Sequence, residues 1–163
     1  MEIERKFLVK KDGTFRQMVT SSSRIAQGYM DVKGGTVRIR LRDDKAFLTI
    51  KGPSKDGGLS RYEFEREIPV SDANEMLALC HGGLIEKTRH LVPYEGHTFE
   101  VDEFHGANEG LLFAEVEIDT PEEEVALPPF IGPEVTGNKF FYNKHMLQNP
   151  YPVWKDIVPE EYR

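Results

Sequence analysis

The first strand-like segment of the chain, MEIERKFLV, places a charged residue at alternate positions. Glu2, Glu4 and Lys6 would share one face of a β-strand, because successive side chains of a strand point to opposite faces. The other face would carry apolar residues such as Ile3 and Phe7. Carboxylates can hold a hard divalent cation, and an ammonium group can bind an anion such as phosphate. This charged face is either the wet side of a sheet or the wall of a charged cavity.

Six later segments repeat the alternation of charged and apolar residues. Their charged positions are Arg38, Arg40 and Arg42, then Lys51, then Arg61, Glu63, Glu65 and Glu67, then Lys87 and Arg89, then Glu100 and Asp102, and finally Glu115, Glu117 and Asp119. Acids dominate the first segment of the chain and the last two segments. The segment that contains Arg38 carries guanidinium groups instead. Like charges opposite one another destabilise a sheet unless groups of opposite sign lie between them. Metal ions and a polyanion would supply that charge, although a single strand of this kind most often has a solvated face.

The same period of two predicts eight β-strands. They are Glu2–Val9, Ile25–Val32, Thr36–Arg42, Ala46–Lys51, Arg61–Val70, Glu86–Tyr94, His97–Phe104 and Leu111–Asp119. Short turns such as Glu95-Gly96 separate neighbouring strands, which predicts antiparallel hairpins. Helices are predicted after a cap at Ser71 or Asp72, from Thr120-Pro121, and from Phe140 to Leu147.

These elements predict an α+β fold that is mainly antiparallel β. Eight antiparallel strands can close into a barrel, and a barrel with a polar, charged interior must hold water or a charged ligand. The apolar faces would then point outward and be covered by the few flanking helices. We expect one domain over residues 1–148 and a tail, residues 149–163, which Trp154 packs onto the domain.

The composition limits the classes of partner. The 163 residues carry a formal net charge of −7. Nucleic acids and anionic membranes are met by basic fields, so neither is expected as a partner. A homodimer is left open. The single cysteine, Cys80, cannot form an internal disulfide, and the N-terminal residues lack the features of a secretion leader, so a cytoplasmic protein is expected.

The order of these motifs resembles the CYTH superfamily of triphosphate tunnel metalloenzymes, and within it the small bacterial inorganic tripolyphosphatases. The likeness rests on Glu2-Ile3-Glu4-Arg5-Lys6, Gln27-Gly28-Tyr29, Val37-Arg38-Ile39-Arg40, Thr49-Ile50-Lys51-Gly52 and Glu115-Val116-Glu117, and it extends from Met1 to Leu147. The Glu-x-Glu-x-Lys motif at the start of the chain is its most specific element.

The resemblance implies a tunnel in which basic side chains hold a triphosphate and carboxylates hold one or two Mg²⁺ or Mn²⁺ ions. The implied metal ligands are Glu2, Glu4, Glu115 and Glu117, with Asp102 as a further candidate. The implied phosphate ligands are Lys6, Arg38, Arg40, Lys51, Lys87, Arg89 and Lys139. Tyr29, Glu63 and Glu65 are expected to assist catalysis.

The expected function is hydrolysis of inorganic triphosphate to pyrophosphate and phosphate. Phosphoryl transfer needs positioning, charge neutralisation and an oriented water, and the residues above can supply these. An adenylyl cyclase of the same superfamily, or a nucleoside or thiamine triphosphatase, is the enzymatic alternative and would need a pocket for the base or thiazolium. A polyphosphate-binding module without turnover is the alternative that is not an enzyme.

Overall fold

The computed structural model describes residues 3–55 and 60–163, so the predicted metal ligand Glu2 lies outside the described residues. The strands are β1 (Ile3–Val9), β2 (Ser21–Val32), β3 (Gly35–Arg42), β4 (Lys45–Lys55), β5 (Ser60–Ile68), β6 (His81–Tyr94), β7 (His97–His105), β8 (Leu112–Ile118) and β9 (Ile131–Glu134). The α-helices are α1 (Val70–Ala78), α2 (Asn143–Gln148) and α3 (Tyr151–Trp154). Short 3-10 helices cover Thr14–Met18, Gly106–Asn108, Lys139–Phe141, Lys155–Ile157 and Glu160–Tyr162.

All eight predicted strands are present, and the mainly antiparallel β fold with few helices is confirmed. The prediction of a closed eight-stranded barrel needs a correction in the number of strands and in the closure. The described strands form a nine-stranded sheet in the order β5-β4-β3-β2-β6-β7-β8-β1-β9, which has β5 and β9 as its ends. Strand β9, which pairs with β1, escaped the sequence analysis because its four residues, IGPE, are too short to show alternation and contain a proline.

The described chain divides into two compact units. The first unit is Arg24–Glu86, and it contains β3, β4, β5, α1 and most of β2. Its buried core is formed by Ile39, Ala46, Ala73 and Leu77, so helix α1 packs on the apolar face of β3 and β4. Arg38 and Arg40 flank Ile39 and therefore lie on the opposite face of β3.

The second unit comprises residues 3–23 and Lys87–Arg163. Its largest core cluster includes Phe7 and Val9 of β1, Val101 of β7 and Ala114 and Val116 of β8. Each of these residues alternates with the charged residues of its strand. The separation of charged and apolar faces that the alternation predicts is therefore confirmed.

The helix predictions had mixed outcomes. Helix α1 begins at Val70 after Pro69, so Ser71 and Asp72 lie inside its first turn instead of capping it. The predicted C-terminal helix is present as Lys139–Phe141 and α2.

The helix predicted from Thr120 is wrong, since the described chain forms a turn there, in which the Glu123 N–H donates to the Thr120 carbonyl at 3.1 Å. The Glu123 carboxylate instead accepts the backbone N–H of Asp119 and contacts His97.

In the tail, Trp154 packs against the aromatic residues that precede α2. Its ring is 5% exposed and lies 5.4 Å from the Phe140 ring and 5.3 Å from the Phe141 ring, centroid to centroid. No helix within residues 3–55 and 60–163 is both long and apolar enough to cross a membrane.

Gly35 begins β3 at a point where the backbone of β4 is very close, and a Cβ atom there would overlap the carbonyl oxygen of Lys51. We expect Gly35→Ala to force the two strands apart and to lower the free energy of unfolding by roughly 1–3 kcal/mol, measured by urea denaturation. Lys33→Ala, an exposed change in the preceding turn, is the control and should leave the midpoint unchanged. An unchanged midpoint for Gly35→Ala would contradict this close approach.

Candidate functional site

A basic face runs along β2, β3 and β4 of the first unit. The antiparallel register places Arg38 opposite Tyr29 on one side and opposite Thr49 on the other, and it places Arg40 opposite Gln27. These side chains lie on the face of β3 that α1 does not cover. The predicted grouping of the two arginines with Tyr29 therefore follows from strand register.

Arg38 contacts side chains of β4 and β5, and one of its N–H groups has no hydrogen-bond partner among the described residues. Its Nη2 donates to the Thr49 hydroxyl at 3.3 Å and lies 3.6 Å from Glu65 Oε1, and the Thr49 hydroxyl donates to the same Glu65 oxygen at 2.8 Å. The Nε of Arg38 is buried, with no hydrogen-bond partner among the residues that the structure describes. A buried donor without a partner is costly, so this N–H suits an acceptor brought by a ligand.

A cavity of about 190 Å³ lies on this face. It is lined by Tyr29, Thr36, Arg38, Thr49 and Lys51. Each of these side chains has an O–H or N–H group that can donate a hydrogen bond, and two carry positive charge. The cavity is therefore suited to a small polyanion rather than to an apolar ligand.

Carboxylates gather on β1, β7 and β8 of the second unit. Glu4 lies directly opposite Glu117, and Glu115 lies directly opposite Glu100 on one side and Lys6 on the other. Burial raises the pKa of Glu100, although the charge of nearby Arg89 opposes the increase. Like charges in opposed positions destabilise a sheet, and hard carboxylate oxygens are the ligands that Mg²⁺ and Mn²⁺ prefer, so this donor set fits a divalent cation. Among residues 3–55 and 60–163, no group of three or more His, Cys, Asp or Glu side chains is arranged to hold a metal ion. The predicted ligand Glu2 lies outside these residues.

Asp102 is fully buried and bound by two cations of the chain. Lys87 Nζ donates to its Oδ2 at 2.8 Å, while Arg89 donates from Nε to Oδ1 and from Nη2 to Oδ2, both at 2.9 Å. Burial by itself raises the pKa of Asp102, but the Lys87 charge and the Arg89 hydrogen bonds outweigh burial and lower it to about 2. Arg89 also reaches Glu100 at 2.7 Å. The predicted phosphate ligands Lys87 and Arg89 are thus held in place by an anion of the chain.

Lys6 lies where the carboxylates meet an aromatic cluster. Its ammonium group donates to the Phe141 carbonyl at 3.0 Å and lies 3.7 Å from Glu115 Oε1. The same nitrogen lies 4.9 Å from the centroid of the Phe113 ring and 5.2 Å from that of the Tyr142 ring, within the range of cation–π attraction. The C-terminal segment therefore helps to position the lysine of the N-terminal motif.

The remaining predicted residues are more peripheral. Glu63 is exposed and lies opposite Lys51 in the register of β4 and β5. Lys139 is exposed at the start of the 3-10 helix that carries Phe141, the residue that binds Lys6.

Sequence reasoning gave no role to Gln27 or Thr49, the buried neutral side chains that hold Arg40 and Arg38. Neutral polar residues also occur on solvated faces. The signals that could have pointed to these two are their strand parity with the arginines and their places in the Gln27-Gly28-Tyr29 and Thr49-Ile50-Lys51-Gly52 motifs.

Comparisons with known proteins agree on one family. A family model described as the CYTH domain matches residues 1–132. An inorganic triphosphatase from Acetivibrio thermocellus is 43% identical over 157 residues, which are 95% of this chain and 98% of that protein. An inorganic triphosphatase from Nitrosomonas europaea is 36% identical over 149 residues, which are 88% of this chain and 94% of that protein. A solved structure of an inorganic triphosphatase matches with a TM-score of 0.69 at 30% identity, covering 92% of this chain and 97% of that one.

The buried ion cluster of Asp102 makes a prediction about stability and pH. The folded pKa of Asp102, about 2, lies below the usual value of 3.8, so the carboxylate favours the folded state fully above pH 3.8 and loses that contribution as the pH falls toward 2. Asp102→Asn removes the anion but leaves the Lys87 and Arg89 charges buried. We expect a loss of about 3–5 kcal/mol in the free energy of unfolding at neutral pH, measured by urea denaturation.

The matched control is Glu134→Gln, which breaks a more exposed ion pair with Arg5. It should cost about 1 kcal/mol or less. The difference between wild type and Asp102→Asn should shrink as the pH is lowered from 4 toward 2, because wild-type Asp102 becomes protonated in that range. Equal losses for the two variants at neutral pH would contradict the buried cluster.

Proposed function

Because the chain belongs to the CYTH domain family, we propose that it hydrolyses inorganic triphosphate to pyrophosphate and phosphate. The observation that carries this proposal is the 43% identity to an inorganic triphosphatase over 95% of the chain. Each unit offers one kind of group that this reaction needs, because a face of the first unit carries hydrogen-bond donors and positive charge and strands of the second unit gather carboxylates. A metal-dependent reaction of a polyanion needs both kinds of group.

The basic face of the first unit is the proposed binding surface for phosphate oxygens. Arginine binds phosphate in a bidentate manner and lysine acts as a point charge, so Arg38, Arg40 and Lys51 are assigned to phosphate. The unpartnered Nε of Arg38 supports this assignment. In the second unit, Lys6, Lys87, Arg89 and Lys139 are the further proposed phosphate ligands.

A divalent cation is the proposed cofactor, Mg²⁺ or Mn²⁺. Glu4, Glu115 and Glu117 are the proposed ligands together with Glu2, and the opposition of Glu4 to Glu117 is the feature that favours this choice. When bound, the cation supplies positive charge that offsets the charge on the phosphate oxygens. Asp102 has cation partners on both oxygens, so we assign it to holding Lys87 and Arg89.

The catalytic roles on the first unit follow from its contacts. Hydrolysis forms a bond from a water oxygen to phosphorus, breaks a P–O–P bridge and releases a proton from the water. Glu65 and Glu63 are the proposed acceptors of that proton. Glu65 is favoured by its 3.6 Å distance from Arg38, which would hold the reacting phosphate beside the carboxylate. Since the single cysteine suits a reducing compartment, we also propose that the protein acts in the cytoplasm.

The proposal is tested by a panel of substrates. Purified protein is incubated with tripolyphosphate, ATP or thiamine triphosphate, with Mg²⁺ or Mn²⁺ or with a chelator, and phosphate and cyclic AMP are measured. We expect metal-dependent phosphate release, fastest with tripolyphosphate. Cyclic AMP formation would support a cyclase instead, and binding of tripolyphosphate without turnover would support a polyphosphate-binding module.

The metal assignment predicts the effect of Glu4→Gln. A neutral amide is a poor substitute for an anionic oxygen ligand of Mg²⁺, so metal-dependent phosphate release should be abolished. The melting temperature without metal should stay the same or rise, since the change removes one of two opposed negative charges.

The matched control for this variant is Glu134→Gln on the edge strand β9. Glu134 forms an exposed ion pair with Arg5, 2.7 Å long. Its loss should leave phosphate release unchanged. Near-normal activity of a folded Glu4→Gln protein would rule out Glu4 as a metal ligand.

The phosphate assignment predicts that Arg40→Ala raises KM far more than Arg5→Ala. Arg5 lies on the face of β1 opposite to Glu4 and Lys6, and it pairs with Glu134. Arg40, in contrast, lies on the basic face. A lost charge-assisted hydrogen bond is worth roughly 1.5–3 kcal/mol, which corresponds to a rise of about 10-fold to 150-fold in KM. Steady-state kinetics with tripolyphosphate measure both variants, and equal KM values would contradict the assignment.

A further inference from the structure

Gln27 is a fully buried amide on the basic face of the first unit, with a relative exposure of 0%. It lies directly opposite Arg40 on β3 and two positions before Tyr29 on its own strand. Its Oε1 accepts a hydrogen bond from Arg40 Nε at 2.8 Å, and its Nε2 donates to the Tyr29 hydroxyl oxygen at 2.6 Å. One buried side chain therefore joins two residues of the proposed site.

The orientation of this amide follows from hydrogen-bond chemistry. A guanidinium group has only donors, so the group that faces Arg40 Nε must be the carbonyl oxygen of Gln27. The amide nitrogen must then face Tyr29, and the phenol oxygen must accept. Its own hydrogen points away from Gln27. Tyr29 can therefore donate a hydrogen bond to an anion.

A buried amide is costly unless both of its ends are bonded. The apolar core of this unit lies on the other face of the strands, around Ile39 and Leu77, so packing alone would be met by an apolar side chain of similar length. The amide is explained by the two groups that it holds, because its two polar atoms both bond residues of the basic face.

We propose that Gln27 is a positioning residue for phosphate binding. It fixes the plane of the Arg40 guanidinium through Nε, and it makes the Tyr29 hydroxyl a donor to a substrate oxygen rather than a proton acceptor. A long side chain that is fixed beforehand loses less freedom when the substrate binds. The inference rests on the proposed function, since it takes Arg40 as a phosphate ligand.

The first test is Gln27→Met, which keeps the length of the side chain and removes the amide. We expect KM for tripolyphosphate to rise about tenfold, the effect of losing one hydrogen bond of ordinary strength, with kcat little changed. Gln17→Met, a change at an exposed glutamine, is the matched control and should leave KM unchanged. An unchanged KM in folded Gln27→Met protein would overturn the proposal.

A double variant separates positioning from a merely structural role. If Gln27 acts through Arg40 and Tyr29, then Gln27→Met should raise KM by a smaller factor when Arg40→Ala is already present, because only the contact with Tyr29 remains. Additive losses would overturn the proposal. If Gln27→Met fails to fold, the wild-type Arg40 Nε–H still decides the question, because rapid exchange of its hydrogen with solvent would overturn the contact with Gln27.

A spectroscopic measurement distinguishes this inference from the proposed function. In NMR spectra of the ligand-free protein, the Arg40 Nε–H signal, identified by its loss in Arg40→Lys, should exchange slowly with solvent, and in Gln27→Met it should exchange much faster. If wild-type protein releases no phosphate from tripolyphosphate, the proposed function fails while this signal still tests the contact. Equal exchange in wild type and Gln27→Met would overturn the role of Gln27.

Discussion

The alternation of charged and apolar residues along the strands is the constraint on which the rest of this structure depends. The apolar core lies on one face of these strands, so the charges on the opposite face are brought beside the charges of neighbouring strands at a separation of about 5 Å. Such a face is stable only when its charges have partners of opposite sign or neutral hydrogen-bond partners. The structure uses both kinds of partner, in different places.

Neutral partners hold the arginines of the first unit. Arg40 donates to Gln27 and Arg38 donates to Thr49, so each guanidinium donates to a neutral oxygen, and Arg38 also lies 3.6 Å from Glu65. Such a bond restricts the side chain without cancelling its positive charge. A basic face built in this way remains attractive to an anion, and the cavity lined by Tyr29, Arg38 and Lys51 lies on it.

Charged partners dominate in the second unit. Asp102 is bound by Lys87 and Arg89, and Arg89 also reaches Glu100. Because Asp102 and Lys87 are buried, their mutual attraction is strong, and removal of Asp102 would take away the anion that Lys87 and Arg89 share. Lys6 is positioned differently, by the Phe113 ring of β8 and by the Phe141 carbonyl and the Tyr142 ring of the C-terminal segment. A cation of the first strand is therefore tied to a part of the chain more than 130 residues away.

The sequence by itself determined eight of the nine described strands, their faces and the sign of the charge on each face. These features are local, because the period of two and the turn residues can be read within a few neighbouring positions. The period of two also placed four site residues on charged faces, namely Arg38, Arg40, Glu115 and Glu117. The resemblance to a family added the roles proposed for them.

Tertiary structure alone decided which groups those charges contact. The pairing of β9 with β1, the bonds from Asp102 to Lys87 and Arg89, and the amide of Gln27 beside Arg40 all depend on strand register. The turn that replaces the helix predicted at Thr120 likewise contains a contact between Glu123 and His97, which are distant in sequence. Register joins residues far apart along the chain, and a local pattern holds no information about such pairs.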